Sequence, residues 1–242
     1  MRVIKLDAID STNEFLKGLS NKQELENFTV ATAEVQTNGK GQMGAVWASE
    51  ASKNLIMSIL VRDFLPDINQ IFNLNIAVSL AVLEALESIK IPGLSIKWPN
   101  DIMSYNKKIG GILIENSIKS DGTITSIVGL GLNVNQTNFK NLPKASSLAV
   151  ICDTEFDKET LLFLIGNAIE KNIKLWKRDQ IVLKTAYTNN LFKKGVPMAF
   201  STPDNTKYMG IIQGVSTFGK LQVLLEDDCV LEFDIKEIQM LY

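Results

Sequence analysis

The chain has 242 residues, 45% of them hydrophobic, with 25 basic and 27 acidic side chains for a net charge of -2. That is enough apolar material for one large domain, or a main domain with a small one, and the near-neutral charge argues against a broad nucleic-acid-binding face. Histidine is absent, which excludes Ser-His-Asp and Cys-His dyads and histidine-ligated metal sites, so chemistry must rest on lysines, carboxylates, amides, backbone N–H groups and a borrowed metal.

The two cysteines, Cys152 and Cys229, are far apart and form no CxxC motif, so neither a disulfide framework nor a zinc site is expected and a reducing, cytoplasmic compartment fits. Met1 to Asp10 holds no long apolar stretch, and no later run is expected to reach the roughly 18 residues needed to span a bilayer. In chain order, Val3 to Leu6 reads as a strand, and Ser11-Thr12-Asn13-Glu14 forms an S-x-x-E capping box that starts a short helix. Phe28 to Val35 reads as a buried strand ending at Gln36. Thr37 to Lys53 is then a loop well above the usual four to six residues, and loops of that length are mostly functional or disordered. Asn54 to Val61 resumes as a strand, and Ile68 to Ile89 repeats apolar residues at helical spacing between Pro66 and Pro92.

Leu94 to Trp98, Lys108 to Asn116 and Thr123 to Val134 read as strands, joined by a Pro99-Asn100-Asp101 turn and a hairpin-type loop at Ser120-Asp121-Gly122. Asp157 to Trp176 and Gln180 to Phe192 read as helices. From Lys194 to Tyr242, five short alternating segments broken by turn signals suggest a small β-barrel. No repeat is visible and no DNA-reading helix pair precedes the first strand.

Three segments carry candidate chemistry. Gly39-Lys40-Gly41-Gln42-Met43-Gly44 sets three glycines where backbone N–H groups can approach an anion. A dinucleotide fingerprint needs a helix opening at its end, and here the loop runs on to Trp47 and another strand, so that reading fails; a mobile loop without ligand remains open. Lys108 heads the apolar run Ile109 to Ile114. It is either a solvated strand end or, beside Gly110 and Gly111, a cation with cleared space for a carboxylate or phosphate. Gly129-Leu130-Gly131-Leu132-Asn133 ends a strand in an amide that either forms a turn or meets a purine edge.

In order and spacing these segments, with Lys97-Trp98-Pro99-Asn100-Asp101-Ile102, resemble the catalytic domain of biotin protein ligases over almost the whole chain. The resemblance implies an α+β fold, a mixed central sheet with flanking helices over residues 1–192, and a C-terminal SH3-like β-barrel over 193–242. It implies that Ser11, Thr12, Asn13 and Gln36 line a biotin pocket with Gly39, Lys40, Gly41, Gln42, Lys108, Gly110 and Gly111, Ser11 also serving as the helix cap. Gly41, Gln42, Trp47, Lys108 and Asn133 would bind ATP, Lys108 and Lys40 would be catalytic, and Trp98 would pack the pocket wall with Trp47. Magnesium would travel with ATP, with Asn100 and Asp101 as candidate helpers.

The implied activity is ATP-dependent ligation through biotinyl-5'-AMP to a lysine of a biotin carboxyl carrier protein, by a monomer or homodimer with no DNA-binding domain and no DNA or membrane partner. The family's glycine loop usually reads G-R-G-R-x-G-R, whereas this one has Lys40, Gln42, Met43 and Ala45. The loss of a bidentate guanidinium keeps a non-catalytic biotin sensor as an alternative, beside a lipoate ligase or octanoyltransferase of the same fold.

Overall fold

The structure is a computed structural model and describes residues 1–119, 121–140 and 142–242. The chain opens with β1 (Val3–Ile9), α1 (Thr12–Lys22), β2 (Val30–Gln36) and β3 (Leu55–Arg62). It continues through α2 (Ile71–Ser88), β4 (Leu94–Lys97), β5 (Asp101–Ser104), β6 (Lys107–Ile118) and β7 (Ile124–Leu132). Three helices follow, α3 (Leu148–Cys152), α4 (Lys158–Trp176) and α5 (Gln180–Asn189). The last strands are β8 (Pro197–Ser201), β9 (Lys207–Val215), β10 (Leu221–Leu225), β11 (Val230–Phe233) and β12 (Gln239–Leu241).

The first seven strands form one mixed sheet in the order β1-β2-β3-β7-β6-β5-β4, parallel between β1 and β2 and antiparallel elsewhere. Successive strand residues face opposite sides, and this period divides the sheet's two faces by function. On β3, Leu55, Met57, Ile59 and Val61 join the main core, as do Val128, Leu130 and Leu132 on β7. The α2, α4 and α5 helices pack together, and their apolar side chains belong to that same core. The alternate residues look the other way. There Leu60 and Ile127 pack under α1 with Leu16, Leu25 and Ala31 in a smaller cluster, and Ser58, Gly129 and Gly131 share that face with them.

Several elements differ from their sequence expectation for local reasons. Pro99-Asn100-Asp101 was expected to be only a turn, yet Asp101 begins β5, which pairs with both β4 and β6 and adds a strand. The long helix opens with one 3-10 turn at Ile68–Gln70 capped by the Asp67 carboxylate. The helix expected to reach Phe192 stops at Asn189, because Phe192 N–H donates to the Ile96 carbonyl and Ile96 N–H to that of Asn190. Helix α3, capped by Ser147, carried no periodic signal. Ser120 of the expected hairpin loop lies outside the described residues. Contrary to expectation, Ile68–Ser88 is long and apolar enough to cross a membrane, but most of it is buried as core helix.

The five short segments at the end do form strands, in one antiparallel sheet ordered β11-β10-β9-β8-β12. This sheet is consistent with the expected SH3-like unit, although among the described residues no pairing of β11 with β12 closes it into a barrel. It meets the first sheet through Trp98, whose Nε1 donates to the Gly219 carbonyl at 2.8 Å.

Candidate active site

The N-terminus of α1, the glycine-rich segment and the α1-side face of β6 and β7 enclose a cavity of about 210 Å³. Ser11, Thr12, Asn13, Gln36, Lys40, Gly41, Gln42, Trp47, Lys108 and Gly111 all line it, as do Asn100 and Asp101. Gly39, Gly110 and Asn133 do not.

At one end lies a chain of buried polar groups. Gln36 Oε1 accepts from Thr12 N–H at 2.9 Å, and the Thr12 hydroxyl lies 3.2 Å from the same oxygen. Ser58 Oγ is 2.7 Å from Thr12 Oγ1 and 2.6 Å from Asn13 Oδ1. An amide oxygen only accepts, so the Ser58 proton goes to Asn13. The other side of Asn13 is also committed, donating to Glu115 Oε2 at 2.7 Å and to the Leu113 carbonyl. Asn13 therefore braces the pocket, while Gln36 Nε2 lies against Gly39, where an added Cβ would come within 2.7 Å of it. Ser58, fully buried on β3, was missed from sequence. Its signal was there: it is the single polar residue in Leu55–Val61, out of phase with the core-facing Met57 and Ile59.

The expected capping box is half made. Ser11 accepts from Glu14 N–H, but the Glu14 carboxylate binds Lys40 Nζ at 2.6 Å. That hydrogen bond holds the Glu14 carboxyl below its ordinary range and raises Lys40 above its own. The glycine segment forms a small hairpin, with a Lys40–Val46 bridge and Trp47 N–H donating to the Gly39 carbonyl at 2.9 Å. A side chain at Gly39 would strike the Trp47 carbonyl at 2.3 Å, so its glycine serves the hairpin rather than the ligand.

The hairpin delivers Trp47 onto the sheet. A Cβ on Gly131 would sit 2.3 Å from the indole, and one on Gly129 would sit 2.5 Å from Asn13 Oδ1. The glycines of β7 are thus slots for the two side chains laid across it. Trp47 Nε1 is buried without a hydrogen-bond partner, which costs about 1–3 kcal/mol unless something fills it. Lys108 Nζ lies 5.6 Å from the Trp47 ring and 2.5 Å from Asp101 Oδ1. Gly111 clears space beside Lys108 and Trp47, whereas Gly110 faces β7 and Leu132 and serves close strand packing. Asn133 is buried behind the cavity, donating to the Ser146 carbonyl at 3.0 Å. Trp98 is not a wall of the cavity; it bolts the two sheets together.

With this arrangement established, comparison with known proteins is decisive. The model of the biotin/lipoate A/B protein ligase family matches residues 6–135, more than half of the chain. The chain belongs to that family. It is 35% identical over 172 residues to the bifunctional ligase/repressor BirA of Bacillus subtilis, covering 69% of this chain and 52% of that protein. It is 28% identical over 195 residues to the biotin-[acetyl-CoA-carboxylase] ligase of Mycobacterium tuberculosis, covering 79% and 71%. The chain spans about half the length of the Bacillus relatives it matches. Among solved structures, the biotin protein ligase of Aquifex aeolicus in complex with biotin and ATP superposes with a TM-score of 0.81 at 28% identity, over 99% of this chain and 98% of that one. The chain therefore has the biotin-ligase-like fold, the cavity lying on its α1 face.

Proposed function

We propose that this chain is an ATP-dependent biotin ligase that forms biotinyl-5'-AMP and transfers biotin to a lysine of a biotin carboxyl carrier protein. One observation carries the reading: Lys108, Trp47 and the glycine hairpin line the same cavity as Thr12 and Gln36. The Aquifex relative's complex with biotin and ATP supports it. The polar end suits a ureido ring, whose carbonyl and two N–H groups need matched partners when buried; a lipoyl dithiolane would offer Gln36 Nε2 no strong acceptor.

In the first step a biotin carboxylate oxygen attacks the α-phosphorus of ATP, the bond to the bridging oxygen breaks, and pyrophosphate leaves with its electron pair. Lys108 offsets the carboxylate and the charge gathering on the α-phosphate, a preorganised electrostatic role. In the second step the carrier lysine amine attacks the acyl carbon, AMP leaves, and the amine gives up a proton. Magnesium is read as part of the MgATP substrate. Among the described residues no three acidic or thiol side chains converge, and Asp101, the carboxylate in the lining, is already bound to Lys108, a donor set poor for a resident cation.

The cavity, at about 210 Å³, is smaller than the about 300–1,000 Å³ usual for small-molecule sites. A boundary between a catalytic domain at 1–192 and a second domain at 193–242 belongs to this reading, supported by the gap between α5 and β8. A cytoplasmic setting does too, supported by the free thiols Cys152 and Cys229. The test is to incubate the chain with MgATP, a carrier domain and either biotin or lipoate, and weigh the carrier. A gain of one biotinyl group is expected; a carrier unchanged by both acids sinks the ligase reading, and lipoylation alone favours the rival substrate.

A further inference from the structure

Beyond Lys108, on the side away from Thr12 and Gln36, the Lys108 and Lys97 ammonium groups flank the Asp101 carboxylate, and Lys144 lies over the same aromatic ring as Lys97. The polar groups follow the strand order across the sheet: Gln36 on β2, Ser58 on β3, Lys108 on β6, Asp101 on β5 and Lys97 on β4. Asp101 gives Oδ1 to Lys108 at 2.5 Å and faces Lys97 Nζ with Oδ2 at 3.7 Å. Lys144 joins from the neighbouring loop, where its carbonyl accepts from Lys108 N–H at 2.8 Å. The Tyr242 ring, braced by Phe192, lies 4.2 Å from Lys144 Nζ and 5.5 Å from Lys97 Nζ.

Ordinary surface lysines diverge into water. Here the Lys97 side chain is only 26% exposed, and burial, then the like charges of Lys108 and Lys144, hold its pKa down against the pull of Asp101. The fold keeps a surplus of positive charge that one carboxylate does not neutralise, and such a surplus suits a multiply charged anion.

We propose that Lys97 and Lys144, with Lys108 at the inner end, form a polyphosphate subsite that holds the β- and γ-phosphates of ATP and then the departing pyrophosphate, with Tyr242 positioning both outer lysines. The assignment rests on the adenylation reading: the acid enters at the Thr12 end, the α-phosphate lies at Lys108, and the leaving group is drawn toward Lys97. Trp47 and Tyr242 then bracket the lysines from opposite sides through cation–π contacts.

The test is calorimetric titration of the full chain with inorganic pyrophosphate, and separately with biotin, for wild type, Lys97→Met, Lys144→Met, Tyr242→Ala and Tyr242→Phe. Wild type should bind pyrophosphate with steep salt dependence, and each lysine variant should bind it about tenfold more weakly or worse with biotin affinity unchanged. Tyr242→Phe should keep the wild-type affinity that Tyr242→Ala loses. If the half-buried Lys97→Met fails to fold, the exposed Lys144→Met decides. No pyrophosphate binding by wild type, or equal binding by wild type and the lysine variants, overturns the subsite. Lysine-dependent pyrophosphate binding without biotin binding supports the subsite while overturning the ligase reading.

Discussion

Asp101 holds Lys108 at 2.5 Å across the β5–β6 pair, so the ammonium assigned to the reacting phosphate already has a fixed anionic neighbour before any substrate arrives. The carboxylate orients the lysine and shares its charge. Lys108→Ala should reduce biotin-dependent pyrophosphate release by about 10²–10³-fold, and Asp101→Asn should reduce it less. Because the two act as a unit, the double variant should be no slower than Lys108→Ala alone. Additive losses in a pyrophosphate-release assay would separate the two roles.

Gly131 and Trp47 make a second, steric prediction. Gly131→Ala pushes a methyl into the indole at 2.3 Å, and overpacking of that kind costs about 1–3 kcal/mol. Part of the strain can be relieved by the hairpin swinging away, so the loss should be larger for ATP affinity than for the urea midpoint. Gly110→Ala, which meets the Gly131 carbonyl at 3.0 Å, should instead lower the midpoint and spare ligand affinity. Equal effects of the two on stability and binding would refute the slot.

Much of this site was legible because its glycines and charges sit in short runs. The positions of Lys108, Gln36 and the glycine hairpin follow from strand ends whose sequence pattern is strong. Strand β5 was not legible: Pro99-Asn100-Asp101 has turn chemistry, and only pairing on both sides makes the following residues a strand. Asn133 is an amide at a strand end whose Nδ2 already donates to the Ser146 carbonyl, a partner from a loop no local pattern announces. Glu14 carried two signals at once, and the tertiary ion pair with Lys40 prevailed over the local capping box.

Ser58 is the third test. Its buried hydroxyl joins Thr12 to Asn13, and Ser58→Ala leaves the Asn13 oxygen short of a donor at a cost of about 1–3 kcal/mol. Biotin affinity measured by calorimetry should fall about tenfold or more while kcat at saturating biotin changes little. A fall confined to kcat would place Ser58 elsewhere in the mechanism.

Acid should act on the hairpin through Glu14. Lys40 depresses its carboxyl pKa below the ordinary 4.5, with Lys17 adding to the effect and burial opposing it. A depressed acid stabilises its contact above the ordinary value and loses it as pH falls through the lower, folded value. The Glu14–Lys40 tether should therefore survive through pH 4.5 and release only below it. Acrylamide quenching of tryptophan fluorescence should rise there in wild type. Glu14→Gln should be more quenchable at neutral pH and lack that component of the acid rise. An identical acid profile in both would dissociate Glu14 from the hairpin.

The most informative substitution adds a group. At the hairpin tip Gln42 lines the cavity and the neighbouring Met43 is solvent-exposed, leaving Lys40 as the one cation of the glycine segment, already engaged by Glu14. A Gln42→Arg side chain starts from the same wall with a planar donor fork suited to phosphate. A charge-assisted hydrogen bond is worth about 1.5–3 kcal/mol, so escape of biotinyl-5'-AMP should slow by about ten- to a hundredfold. A chase with unlabelled biotin after single-turnover adenylation reads this directly. Where the proposed carrier lysine enters by the opening through which the adenylate escapes, biotinylation should slow along with escape. Slower escape with unchanged transfer would mean that the amine approaches by a path the hairpin does not cover.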